Sequence, residues 1–107
     1  MPKILVLHDN RGVREKLAKA LSSLYDVTVF ESVSKAKEDE GLYDLYVCGQ
    51  MGKYSDGLSY ALDKKAVSSK VLIVGSKRKF SLIPFLGTGE LKFAEKILKK
   101  VEEVLVT

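Results

Sequence analysis

The side chains able to do chemistry in this chain are few. His8-Asp9-Asn10 follow the apolar run Ile4–Leu7, placing an imidazole, a carboxylate and a carboxamide at one strand end. Asp56 stands before a stretch with helical periodicity, where a short carboxylate serves as an N-cap. His8 is the only histidine and Cys48 the only cysteine, so no histidine-based zinc site can be assembled from the two. Cys48 lies inside an apolar run and reads as a small buried hydrophobe. His8 reads as a packed, neutral or helix-terminal group. Gly87-Thr88-Gly89 lacks the Lys-Ser/Thr that follows the glycines of a phosphate loop, and reads as a turn with Thr88 as a helix cap. Lys77-Arg78-Lys79 is either a solvated basic connection or a contact for an acidic surface or phosphates. No aromatic residues interleave with it and no helix-turn-helix pattern accompanies it, which argues against direct DNA binding.

These residues sit at the ends of alternating elements. Lys3 to His8 is apolar after its first residue, as in a strand covered on both faces. Asp9-Asn10 supply capping chemistry, and Val13, Leu17, Leu21 and Leu24 fall on one helical face. Val27–Phe30 is a β-branched strand, and Ser32 or Ser34 can cap a weak helix ending at Gly41. Tyr43–Cys48 is a second buried strand, followed by a polar loop from Gly49 through Ser55. A helix from about Asp56 places Leu58, Ala61, Leu62 and Ala66 together. Val71–Gly75 is a further apolar strand, and Phe80–Ile83 reads as another. The Ser76–Lys79 link between these two is too short for a crossover helix, so a fourth helix is expected to be missing or vestigial. The last strand then joins the edge through an unusually short link or pairs as a hairpin. Alternation of strands and helices predicts a parallel five-stranded α/β sheet of flavodoxin-like order 2-1-3-4-5, with helices on both faces.

At 107 residues, 46% hydrophobic and 30% charged, the chain reads as one globular domain spanning 1–107. Its net charge of +4 is spread over many lysines rather than focused in one tail. No apolar run approaches a membrane span, and Met1-Pro2-Lys3 leads into a strand without a signal-peptide layout, so a cytoplasmic protein is expected.

Ligand sites of such sheets lie at the carboxyl ends of the strands. There the chain resembles the receiver domains of two-component response regulators. Lys3–Asn10 resembles the receiver opening, in which an apolar strand ends in an acidic pair. Tyr43–Gly49 followed by Asp56-Gly57-Leu58 resembles the phosphoacceptor strand and its later Asp-Gly-Leu turn, and Leu82-Ile83-Pro84-Phe85 the strand ending in Lys-Pro-Phe. The resemblance implies a Mg²⁺ ion held by three carboxylates, and this chain departs from it at each key position. The acidic pair becomes His8-Asp9, the phosphoacceptor falls on Gly49, the switch hydroxyl on Gly75 beside Ser76, and the charge-neutralising lysine on Ile83. Phosphoryl transfer depends on positioned charge. The expectation is therefore a degenerate site, with no catalytic residues, no metal and no cofactor: a pseudo-receiver acting in signalling by protein–protein contact.

The final helix carries Leu91, Ala94, Leu98, Val101 and Leu105 on one stripe and Phe93, Ile97 and Val104 on a second, a wide apolar arc. Either the arc covers the gap left by the missing helix, or part of it meets a partner. The candidate interface is Leu91, Phe93, Ile97, Val101 and Val104 with Lys77, Arg78 and Lys79, forming a homodimer or docking an attached output domain, as in the N-terminal domain of a bacterial transcription activator. The alternative reading is a small-molecule-binding or enzymatic flavodoxin-like domain, supported by the Gly49–Ser55 loop.

Overall fold

A computed structural model of the chain describes residues 1–39, 41–49, 56–66, 70–76 and 83–106, with backbone alone at 56–58 and 66. The first strand is β1 (Lys3–Leu7), in which Ile4, Leu5, Val6 and Leu7 are all buried. A strand turns successive side chains to opposite faces, so a continuously apolar strand needs cover on both. Ile4 and Val6 enter one core with Leu17 and Leu21 of α1 (Arg11–Ser22) and Ile97 and Val101 of α4 (Phe93–Leu105). Leu5 and Leu7 enter a second core with Ala36 of α2 (Val33–Glu38) and Tyr60 and Ala61 of α3 (Asp56–Ala66). β3 (Leu45–Gly49) and β4 (Val71–Gly75) are buried along their whole length in the same way. With β2 (Asp26–Phe30) and β5 (Phe85–Gly87) they form one five-stranded sheet of order β2-β1-β3-β4-β5, parallel at every pairing. The expected fold class and strand order are observed, with four helices among the described residues.

Several element ends differ from expectation. α1 stops at Ser22, so Leu24 lies beyond it and is 57% exposed rather than on the apolar stripe. Asn10, not Asp9, caps this helix, its side-chain oxygen accepting from the Val13 amide at 3.0 Å. α2 starts after Ser32 and ends at Glu38, before Gly41. Among the described side chains of α3 the buried ones are Tyr60 and Ala61, while Leu62 is exposed. Tyr60 stands edge-on to Tyr46 of β3 with ring centroids 6.3 Å apart, and the Lys64 ammonium lies over both rings. That aromatic docking sets the rotation of α3 and turns Leu62 outward.

The last strand is the largest correction. β5 begins at Phe85, and the Pro84 carbonyl accepts from the Ile73 amide at 2.9 Å. Proline has no N–H to give a ladder, which restricts it to strand starts and edges; here it stands just ahead of the strand. Residues 80–82 of the expected Phe80–Ile83 strand lie outside the described residues, and Ile83 is a buried residue ahead of β5. The denser apolar run drew the expectation away from the three-residue Phe-Leu-Gly strand. β5 joins the edge in parallel and is not a hairpin partner. Of the Ser76–Lys79 link, where the fourth helix was expected to be missing or vestigial, Lys77, Arg78 and Lys79 lie outside the described residues.

α4 starts at Phe93 behind Lys92, which takes the left-handed conformation at φ 56° and carries no side-chain cap bond. Thr88 is not the cap. Its amide donates to the Gly75 carbonyl at 2.9 Å and extends the β4–β5 ladder instead. Leu91 precedes the helix and is exposed. Phe93, Ile97, Val101 and Val104 are buried in the chain's own core against Leu72, Val74 and Leu86. These four are therefore packing residues and not an interface, because the sheet face beside α1 needs a second helix to cover it. Truncating Ile97 to alanine is expected to cost about 2–5 kcal/mol. The Phe93→Ser/Ile97→Ser chain is expected to unfold in urea titrations followed by circular dichroism. A well-folded double variant would return both residues to the surface.

Candidate functional site

The carboxyl ends of β1, β3, β4 and β5 gather at one edge of the sheet, and each is finished by a small or polar residue. β1 runs on into His8, β3 ends in Gly49, β4 in Gly75 before exposed Ser76, and β5 in Gly87 before Thr88. The strand order reverses at β1, which lies between β2 and β3, so this end of β1 and β3 is the switch point where α/β sheets bind ligands.

His8 occupies the switch point. Its amide donates to the Phe30 carbonyl at 3.2 Å, prolonging the β1–β2 ladder by one bond. Its carbonyl accepts from the Arg14 guanidinium at 2.9 Å, and the same nitrogen reaches the Asp9 carbonyl at 3.4 Å. Its ring Nδ1 accepts from the Asn10 amide at 3.0 Å. The side chain is thus held at backbone and ring together, and the residue is 7% exposed.

The parallel register pairs Leu7 with Cys48, and one further step sets His8 beside Gly49. The imidazole lies directly on the glycine. A β-carbon at residue 49 would fall 2.5 Å from ring Cδ2, 2.8 Å from Nε2 and 2.9 Å from Cγ. Those separations are inside van der Waals contact, so any side chain at 49 displaces the ring. The ring of residue 8 and the bare backbone of residue 49 are two halves of one packing solution.

Burial holds the His8 pKa below its ordinary value, and the nearby Arg14 charge pushes the same way against an opposing pull from Asp9. Nδ1 also lies 3.5 Å from an Asp9 carboxylate oxygen. That contact is an ion pair only when the imidazole is protonated. With Nδ1 already accepting the Asn10 N–H, the neutral ring protonated at Nε2 is the form the geometry holds.

The predicted site residues are brought together only in part. His8, Asp9, Gly49 and Gly75 do stand at the strand ends. Ile83 does not: it lies ahead of β5, packed in the core of Leu7, Tyr46 and Ile73. β5 ends at Gly87, with Thr88 next. Among the described residues no three His, Cys, Asp or Glu side chains group to hold a metal ion. Cys48 is buried and its thiol is pushed up to about 12 by burial, so it remains a protonated hydrophobe. Arg14 was not singled out by sequence, since nothing local marks a helix arginine as a brace for carbonyls six and five positions earlier. The His8–Gly49 pair did leave a signal, a large residue at one strand end and none at its neighbour.

No family model matches the chain, and no curated protein matches it. Solved structures do. The chain superimposes on the DrrB receiver domain in its BeF3-activated form at a TM-score of 0.83 and 18% identity, covering 100% of this chain and 99% of that one. The longer DrrB response regulator of Thermotoga maritima gives 0.86 at 18% identity over 99% of this chain and 53% of its own. TrrA of Thermotoga maritima, a response regulator in complex with Mg²⁺ and BeF, gives 0.78 at 22% identity, covering 97% and 99%. The fold is that of response-regulator receiver domains.

Overpacking at the glycine tests the geometry. Gly49→Ala is expected to lose about 1–3 kcal/mol in urea unfolding. In a His8→Ala background most of that loss should vanish, a coupling of about 1 kcal/mol or more. Additive losses would mean that ring and glycine do not touch in solution.

Proposed function

We propose that this chain is a receiver-fold regulatory domain that works in signalling without being phosphorylated, through contact with protein partners. The observation that carries the reading is the imidazole of His8 filling the volume that an acceptor side chain at residue 49 would need. An aspartyl phosphate needs a carboxylate there, and Mg²⁺ needs several oxygens arranged octahedrally beside it. Beside this ring, among the described residues, Asp9 lies 3.5 Å from Nδ1, and Gly49 contributes no side chain. In this reading the domain is neither an enzyme nor a cofactor carrier, and it is cytoplasmic. No helix among the described residues is long and apolar enough to cross a membrane.

The partner is a second copy or an output domain, such as that of a transcription activator. Its contact surface is not the inner stripe of α4, which the chain's own core consumes. The alternative of a small-molecule or enzymatic site rested on the Gly49–Ser55 loop, whose residues 50–55 lie outside the described residues. No described feature favours it over the regulatory reading.

Incubation with acetyl phosphate, or with beryllofluoride and Mg²⁺, is expected to leave mass and amide spectra unchanged. An acid-labile gain of one phosphoryl group would overturn the proposal.

A further inference from the structure

The hydrogen bonds at the end of β1 can be arranged in two ways, and a proton at one atom decides between them. As folded, the Asn10 N–H donates to His8 Nδ1 at 3.0 Å, and the Asn10 side chain caps α1 through the Val13 amide at 3.0 Å. An Asp9 carboxylate oxygen waits 3.5 Å from the same Nδ1. A proton taken from solvent onto Nδ1 fills the lone pair that the Asn10 N–H uses, so two donors then face each other. The new N–H finds its acceptor in Asp9, and Asn10 loses its tie to the ring. We propose that the turn His8–Asn10 is a proton-operated switch, in which protonation of His8 exchanges the Asn10–His8 bond for a His8–Asp9 bond, loosens the cap of α1 and lifts the ring from Gly49.

The charged groups around His8 pull its protonation in opposite directions. On its own turn His8 faces the Asp9 carboxylate, and from α1 it faces the Arg14 guanidinium. The Phe30 carbonyl of β2 takes the His8 backbone amide, and the ring itself lies against the uncharged Gly49 of β3. Asp9 favours the charged ring, whereas burial and Arg14 oppose it. The folded pKa therefore lies below 6.5, the ordinary value, and the unfolded chain takes up the proton first. The stabilisation held in the neutral arrangement is then complete above pH 6.5 and declines as the pH falls from there toward the folded value. That the movement serves signalling rests on the regulatory reading above. The titration itself does not.

Because His8 is the only histidine, its ring signals need no assignment. The experiment is a nitrogen-15 NMR titration of the full chain from about pH 8 to about pH 5. The expected result is an Nε2–H tautomer at high pH and a midpoint below 6.5, with the Asn10, Val13 and Gly49 amides following the same curve. Asp9→Asn keeps the imidazole but removes the second acceptor's charge, and should lower the midpoint further. His8→Gln should flatten the amide curves between the same limits. A midpoint at or above 6.5, amides that stay still while the ring titrates, or an unshifted midpoint in Asp9→Asn each overturns the switch. None of these outcomes bears on whether the chain accepts a phosphoryl group, so the two proposals fail separately.

Discussion

β1 is clamped from four directions, and most of the molecule follows from that clamp. It is laddered to β2 on one side and β3 on the other, and its two faces are sealed by α1 with α4 and by α2 with α3. A strand so enclosed cannot shift register without turning its whole apolar set the wrong way. Whatever residue follows Leu7 is consequently delivered to one fixed place between the ends of β2 and β3. In this chain that residue is an imidazole, and the only neighbour that admits it at that distance is a glycine. The clamp therefore fixes the character of the site before any polar contact is counted.

Burial on both faces also decides which features were legible in the sequence. Ile4–Leu7, Leu45–Cys48 and Val71–Val74 announce doubly covered parallel strands because burial on both faces leaves no room for alternation. Three such strands, separated by helical periodicity, leave few topologies. β5 was not legible, since a three-residue edge strand of Phe-Leu-Gly carries less apolar signal than Phe80–Ile83, and the pairing that selects it comes from β4. Helix ends were legible only where a local side chain sets them, as Asn10 and Ser32 do. The start of α4 depends on a left-handed Lys92 that no capping rule anticipates.

The wide arc of α4 shows how an amphipathic pattern can be misread. Periodicity reports that a residue is covered and does not say by what. Among the described residues the five-stranded sheet has two helices on each face, so each of these helices must seal more surface than a narrow stripe can. Phe93, Ile97, Val101 and Val104 supply that extra width from within the chain, leaving the outer surface of α4 to Lys96, Lys99, Glu102 and Glu103. Among the described residues the exposed large apolar side chains are Met1 before β1, Leu24 after α1, Val29 on β2, Leu42 before β3, Leu62 on α3, Leu91 before α4 and Val106 after it. Single exposed apolar side chains of this kind are ordinary on protein surfaces.

The site itself was half legible, and the missing half is geometric. Sequence identifies the residues at the ends of β1, β3 and β4, but not that the His8 ring lies on Gly49 or that Arg14 holds two carbonyls of the turn. Those contacts matter because they change what the absence of a carboxylate at residue 49 means. A glycine beside open space is a vacancy that one substitution can refill. A glycine beneath a buried ring is occupied, and the ring is tied in turn to the first backbone amide beyond Asp9. Placing any side chain at 49 then requires displacing the ring, which frees the Asn10 amide and disturbs the residue that caps α1. At this strand end His8 and Asp9, with Arg14 behind them, act on each other.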